Sequence, residues 1–372
     1  MELFYIIVMV FYFFLLLTIK KRWKEEASIP VAPSRDLKLA LLIPYRNESR
    51  YLPELLSHLE KVIPDAMEIL FINDRSEDDS RALLLAFLQE KNLPHWKLLE
   101  NSGIGKKAAL TTGIFSTEAD IILTTDADCT LPDHWPQLIS KAFHHDHVQL
   151  VAGPVITESG KGFFAQFQQI EWASILLMTQ YLFSLGTPLM CSGANMAYRK
   201  SAFVAVGGYE GNMDHLSGDD VFLLMKVTQM FGPTSFQFTY KKEILVKTKP
   251  ISNISSFLQQ RVRWASKWRL HPSGMHYISV LLSYGMALIQ LASFLLLFGS
   301  WESRIIFMLF WLTKIIMERE SLGKVLTDYK IHPNRSSFII TSFLHPIYLI
   351  VVGLLATFGK FTWKGRKNKY MI

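Results

Sequence analysis

The residues best suited to chemistry in this chain form three short clusters in a fixed order: Asp126, Ala127, Asp128, then Gly218, Asp219, Asp220, then Gln260, Arg261, Val262, Arg263, Trp264. The first cluster follows the apolar run 121–125, so its carboxylates fall where a buried strand ends and a loop begins. Ligands collect at that edge of an open α/β sheet. Two aspartates one residue apart at a strand mouth can share a divalent cation, a hard charge that prefers oxygen and bridges to substrate phosphates. Taken alone, the same residues also suit a polar turn before a helix, with Asp133 as its N-cap. The second cluster offers a carboxylate able to take a proton, or simply a pair of acids at a helix N-terminus. The third places Gln260 on one helical face with Arg263 and Trp264, at i+3 and i+4.

The elements that must position these groups are legible as hydrophobic patterns. Runs at 39–43, 69–72, 121–125 and 149–155 read as strands buried on both faces, as a parallel sheet requires. Between them, 52–62, 77–89 and 106–115 carry leucine and alanine at helical spacing. This βαβα order predicts a Rossmann-like, mostly parallel α/β sheet flanked by helices. After Gly153 and Pro154 the character changes: 163–185 is long and aromatic, with Glu171 as its one acid. It is either a buried helix or one at the bilayer surface, and membrane contact is the expectation. Segment 193–208, with a small-residue turn, Arg199 and the pair Gly207 and Gly208, reads as a loop around a ligand cavity or as plain turn chemistry. Residues 255–270 mix Phe257, Val262 and Trp264 with Arg261, Arg263 and Lys267, which predicts a basic amphipathic helix at a membrane interface.

Half of the residues are hydrophobic, yet 19% are charged, a balance that implies one soluble part and one embedded part. Residues 3–19 carry no charge and are long enough for a membrane span. Lys20, Lys21, Arg22 and Lys24 follow the span without a cleavage site, so it reads as a retained anchor with residue 20 onward in the cytoplasm. Segments 277–298 and 338–358 are also long enough to cross, whereas 305–317 is short and contains Lys314. A re-entrant or interfacial 305–317 is expected, which returns the basic tail to the cytoplasmic side. The net charge of +7 sits beside apolar segments, including Lys360, Lys364, Arg366, Lys367 and Lys369, so anionic lipid rather than nucleic acid is the implied partner. Cys129 and Cys191 have the spacing of neither a zinc site nor a disulfide framework.

With two further segments, the clusters resemble those of membrane-bound family 2 glycosyltransferases of GT-A fold, over about residues 37–270. Pro44, Tyr45, Arg46, Asn47, Glu48 is similar to the family's Pro-x-x-Asn-Glu segment, with Arg46 where a base-stacking tyrosine is common. Asn73, Asp74, Arg75, Ser76 resembles its Asp-Asp-x-Ser turn, which implies that Asp74 accepts a uracil N–H; capping a helix from Glu77 is the alternative. Lys106 matches the family's Lys-x-x-Ala-Leu lysine, at a helix start facing phosphate.

The resemblance further implies that Asp126 approaches the ribose and that Asp128 holds the Mg²⁺ or Mn²⁺ bridging a diphosphate. It makes Asp220 the catalytic base beside Asp219, and sets Gln260, Arg263 and Trp264 toward the diphosphate and acceptor. The implied organisation is an anchor at 1–24, a nucleotide-sugar half at 37–155, an acceptor half at 156–250, an interfacial helix at 251–272, and a membrane region with two or three helices and a basic tail at 273–372. The implied activity is inverting, metal-dependent transfer from a nucleotide-sugar, a UDP-sugar first, to a lipid or other membrane-bound glycan acceptor. Its implied place is the cytoplasmic face of a bacterial inner membrane. A processive polysaccharide synthase and a catalytically silent nucleotide-sugar-binding scaffold are the alternatives. His215, close to the acid pair in sequence, is marked for mutation.

Overall fold

The computed structural model describes residues 1–23, 37–64, 66–215, 217–267 and 274–359, with the backbone of two short paired strands at 362–363 and 366–367. Lys24, the end of the expected interfacial helix and the side chains of the basic tail lie outside the described residues. The strands are β1 (Leu39–Tyr45), β2 (Glu68–Asn73), β3 (Trp96–Glu100), β4 (Ile121–Thr124) and β5 (Cys129–Thr130), then β6 (Leu150–Ala152), β7 (Val155–Thr157), β8 (Met196–Arg199), β9 (Phe236–Phe238) and β10 (Val246–Thr248). The helices of the α/β part are α2 (Leu52–Val62), α3 (Ser80–Lys91), α4 (Lys106–Phe115), α5 (Trp135–Ser140), α6 (Phe163–Ser184), α7 (Lys200–Ala205), α8 (Asp219–Phe231) and α9 (Ile254–Ala265). Outside it run α1 (Glu2–Arg22), α10 (Gly274–Ala292), α11 (Trp301–Asp328) and α12 (Arg335–Phe358).

One sheet has the order β3-β2-β1-β4-β8-β6-β9, in which β8 alone runs against its neighbours. This is the mostly parallel α/β sheet expected of a GT-A fold. In β1, Ala40, Leu41, Leu42 and Ile43 have no exposed surface, because β2 and β4 flank the strand and α4 packs against it. Each such leucine or isoleucine contributes roughly 1.5–3 kcal/mol by leaving water. A second sheet, β5-β10-β7, seats Thr248 of β10 beside Cys129 of β5.

Four expectations need correction. The run 149–155 is not one strand: Pro154 lacks an N–H for the ladder, so the chain breaks there, with β6 in the large sheet and β7 in the small one. Of the segment 193–208, only the turn near Gly193 stays a loop, since β8 and α7 take up most of the rest. Arg199 holds the carbonyls of Phe143, His145 and Val148. Helix α6 is the buried alternative, not a helix lying on a bilayer: Gln168, Gln169 and Glu171 are almost fully covered, and it packs against β7, α1, α11 and α12.

The fourth correction concerns 305–317, which belongs to the 28-residue helix α11, about 42 Å long at 1.5 Å per residue. It runs alongside α1 from end to end: Ser303 Oγ donates to Glu2 Oε1 at 2.7 Å, and Trp23 Nε1 donates to Asp328 Oδ2 at 2.8 Å. A short re-entrant segment is therefore absent, and α11 is a long helix that is not among those apolar enough to count as a span. Lys314 is fully buried, paired with Glu318 Oε1 at 2.5 Å. Its ammonium also donates to the Ser342 carbonyl at 2.9 Å, the acceptor left open one turn before Pro346 in α12. Tyr12 of α1 and Ser342 of α12 donate to the same Glu318 carboxylate, at 2.7 and 2.6 Å. Among the described residues, α1, α12 and the stretch Gly274–Phe298 are long and apolar enough to cross a membrane.

Candidate active site

The ends of β4 and α8 bring the acids together. Thr124 Oγ1 donates to the Gly193 carbonyl at 2.7 Å and Thr125 Oγ1 to the Ala194 carbonyl at 3.0 Å, which ties the loop holding Asp126 and Asp128 to the 192–195 turn. Helix α8 starts at Asp219 after Gly218, whose φ of 90° needs no side chain, so both acids sit in the first turn where the helix dipole favours negative charge. Lys106 opens α4 directly after Gly105 and lies between the clusters, 2.7 Å from Asp126 Oδ1 and 3.0 Å from Asp219 Oδ2. Asp220 accepts the N–H groups of Val221 at 2.7 Å and Gly193 at 3.2 Å, with Lys267 Nζ 3.7 Å away.

The neighbours divide the two α8 acids electrostatically. Burial dominates at Asp219 and lifts it above the usual carboxylate range despite Lys106. At Asp220 burial acts the same way, but Lys267, Lys106 and the two backbone N–H groups outweigh it and hold the carboxyl below that range. Asp220 is thus an ionised oxygen acceptor at neutral pH. Lys106 stays charged, since Asp126 and Asp219 more than offset its burial.

Asp128 accepts Thr248 Oγ1 at 3.3 Å. No group of three His, Cys, Asp or Glu side chains able to hold a metal converges among the described residues. Asp126 and Asp128 nevertheless fit Mg²⁺ or Mn²⁺, because two carboxylates are a hard donor pair whose shell a diphosphate completes.

Asp74 is buried and does not cap α3, which begins only at Ser80; its Oδ1 takes the Gly105 N–H at 2.9 Å and the Asn101 amide at 2.8 Å. Arg46 donates to the carbonyls of Asp74 and Arg75 and to Glu77 Oε1 at 2.8 Å, so its guanidinium holds the loop after β2. Glu48 anchors α2 through its carbonyl, which accepts Leu52 N–H at 3.0 Å, and its own N–H donates to Ser80 Oγ at 2.7 Å. Pro44, Arg46, Glu48, Asp74 and Lys106 all line one cavity of about 1630 Å³ with the four acids. Gln260, Arg263 and Trp264 of α9 line the same cavity, which continues between α6, α10 and α12.

Residues 40–207 match the model of the Glycosyl transferase family 2. This chain carries a family 2 glycosyltransferase domain. The chain is 26% identical to the poly-beta-1,6-N-acetyl-D-glucosamine synthase of Staphylococcus aureus over 229 residues, 61% of this chain and 53% of that one. It is 35% identical to the undecaprenyl-phosphate 4-deoxy-4-formamido-L-arabinose transferase of Salmonella choleraesuis over 109 residues, 28% of this chain and 33% of the relative. The chain spans about half the length of the synthase it matches. Its fold resembles the mannosyltransferase PcManGT of Pyrobaculum calidifontis, solved with GDP-Man and Mn²⁺, at a TM-score of 0.59 and 14% identity over 96% of this chain and 99% of that chain.

Beyond the matched residues, α9 is held by a residue that its signature leaves unspecified. Arg261 is buried and grips both oxygens of Glu171 on α6, with Nε 2.7 Å from Oε1. Its guanidinium also lies between the rings of Phe257 and Trp264, at 4.3 and 4.4 Å. The Tyr348 hydroxyl of α12 donates to the same carboxylate. Trp264 meets Trp172 edge-on at 5.4 Å, and burial pushes Arg263 below the ordinary guanidinium value while Asp126, Asp219 and Asp220 pull the other way.

Gly193, read from the sequence within a loop around a ligand cavity, does line the cavity beside the acids, although the sequence did not mark it out singly. A Cβ there would lie 2.7 Å from Asp219 Oδ2, so glycine is what lets the turn approach the acids. The small-residue run Ser192 to Asn195 was its only signal. His215 turns its ring onto Phe222 at 5.8 Å, and its carbonyl accepts Lys107 Nζ at 3.1 Å.

Proposed function

We propose that this protein is an inverting, metal-dependent glycosyltransferase that moves a hexosyl or N-acetylhexosaminyl group from a UDP-sugar to a lipid acceptor at the cytoplasmic face of the bacterial inner membrane. The carrying observation is that one cavity joins Asp126, Asp128, Asp219 and Asp220 to walls made by α6, α10 and α12. A water-soluble donor and a membrane-held acceptor can meet only in such a space.

Asp128, with Asp126, would hold Mg²⁺ or Mn²⁺ on the diphosphate, and the ion supplies Lewis-acid stabilisation of the leaving group. Lys106, between Asp126 and Asp219, fixes the positions of both acids and adds positive charge at the N-terminus of α4. Asp220, ionised and with 19% of its side chain exposed, takes the proton of the acceptor hydroxyl as its oxygen attacks the anomeric carbon. Attack from the side opposite the leaving phosphate inverts that carbon. Arg263, whose charge Asp126, Asp219 and Asp220 favour, would meet the diphosphate. Asp74 supports the UDP assignment because it lines the cavity with one carboxylate oxygen fixed by Gly105 and Asn101.

The relative named as a polymer synthase favours a second reading, repeated addition to a growing glycan. Product length separates the two: a ladder supports polymerisation and a single species supports one transfer. The test of the main reading is purified full-length protein with Mn²⁺, membrane lipid and a panel of UDP- and GDP-sugars. Nucleotide release with one UDP-sugar is expected. Binding without release from any donor would favour the silent scaffold.

A further inference from the structure

The two ends of the cavity differ in charge. Among the described residues, the catalytic end sets the cations Lys106, Arg263 and Lys267 against Asp126, Asp128, Asp219 and Asp220, with the carboxylates of Glu48 and Asp74 on the same wall. Arg46, on the same wall, is paired with Glu77. A diphosphate carrying one divalent cation suits that balance. A second, separate phosphate would enter among carboxylates that the present cations already fail to neutralise.

At the membrane end, each of the two acids on the wall has its own cation: Glu171 holds Arg261, and Glu318 holds Lys314. Among the described residues, α1, α6, α10, α11 and α12 place no lysine or arginine on the cavity wall. They place mostly apolar side chains there, together with hydroxyls such as Ser279, Tyr284 and Thr341 and the imidazoles of His276 and His345. Bringing a charged phosphate into that setting costs far more than bringing in a hydroxyl, which needs only one hydrogen-bond partner.

We propose that the acceptor is an uncharged lipid, a hydroxyl on an apolar chain or neutral headgroup, and not a lipid phosphate. This rests on the transferase reading above. Its chemistry is balanced: the hydroxyl oxygen forms the new bond to the anomeric carbon, the bond from that carbon to the phosphate oxygen breaks, and Asp220 receives the hydroxyl proton. The membrane end of the cavity solvates the chain, and the acids near α8 meet only its hydroxyl.

The test uses full-length protein in neutral detergent, Mn²⁺ and a UDP-sugar labelled in the sugar. Bacterial membrane lipid is separated by anion exchange into uncharged and anionic pools, supplemented with dioleoylglycerol and undecaprenyl phosphate respectively, and each pool is offered in turn. Label is expected in the uncharged pool at about tenfold or more over the anionic pool, the scale on which like-charge contact rejects a partner. Equal labelling, or label mainly in the anionic pool, overturns the proposal. Nucleotide release with label in neither pool overturns it too while leaving the transferase intact. No nucleotide release from any donor removes the transferase reading itself.

Discussion

Two ionic clusters in this molecule are both built from carboxylates and cations, and they differ in what they leave open. In the membrane-helix region Lys314 and Glu318 form a closed set: the lysine also takes the Ser342 carbonyl, and the glutamate also takes hydroxyls from Tyr12 and Ser342. At the ends of β4 and α8, acids outnumber cations, and the Asp126 side chain keeps 39% of its surface exposed. A closed set holds α1, α11 and α12 together and has nothing left to offer a ligand. An open, acid-rich set leaves carboxylate charge unmatched, which the proposed cation and substrate would complete.

The largest effect expected from this contrast is at Asp220. Asp220→Asn keeps the shape and removes the proton acceptor, so turnover should fall about 10²- to 10⁴-fold while the melting temperature hardly moves. Steady-state nucleotide release and a thermal melt read both quantities, and a variant that melts early but turns over normally would reverse the roles given to the two clusters.

Lys314→Met should do the reverse. It strands a buried carboxylate, a loss of about 3–5 kcal/mol in stability. Lys314→Met with Glu318→Leu should recover most of that, and adding Pro346→Ala, which supplies an N–H for the Ser342 carbonyl, should recover more. Denaturation of the detergent-solubilised variants ranks them; no recovery in the double variant would mean that Lys314 does more than complete a set.

Gly193→Ala tests the open cluster without removing a charge. The added methyl must displace Asp219 or Lys106, so kcat should drop by about tenfold or more, as a small misplacement near reacting groups does. Unchanged kcat would show that the approach of this turn is incidental.

The smallest effect is a shift in pH dependence. Of the groups that hold Asp220 below the usual carboxylate range, Lys267 does the most. Removing it in Lys267→Met raises the proton affinity of the base, so more of the enzyme is protonated at mildly acidic pH and the acid limb of kcat/KM moves upward. An acid limb that stays in place would detach Lys267 from Asp220.

Much of the catalytic half was legible in the sequence because its signals are local. The runs in β1, β2 and β4 are buried on both faces, and the acid clusters fall at the ends of elements, where spacing alone predicts proximity to a ligand. β3 escaped notice because it is an edge strand with mixed burial and no continuous apolar run. The length of α11 was hidden by its charges: Lys314 and Glu318 look like interruptions until each is seen to complete the other. In the same way Arg261 occupies an unspecified signature position, and its partner Glu171 lies ninety residues earlier. Pairings over that distance leave no periodic trace in the chain.

The most direct test of the central claim, a single displacement with Asp220 on one side of the sugar carbon and the diphosphate on the other, is the anomeric configuration of the product. Nuclear magnetic resonance of the product made from a donor of known configuration should show the opposite anomer. A product that keeps the donor's configuration would contradict the account.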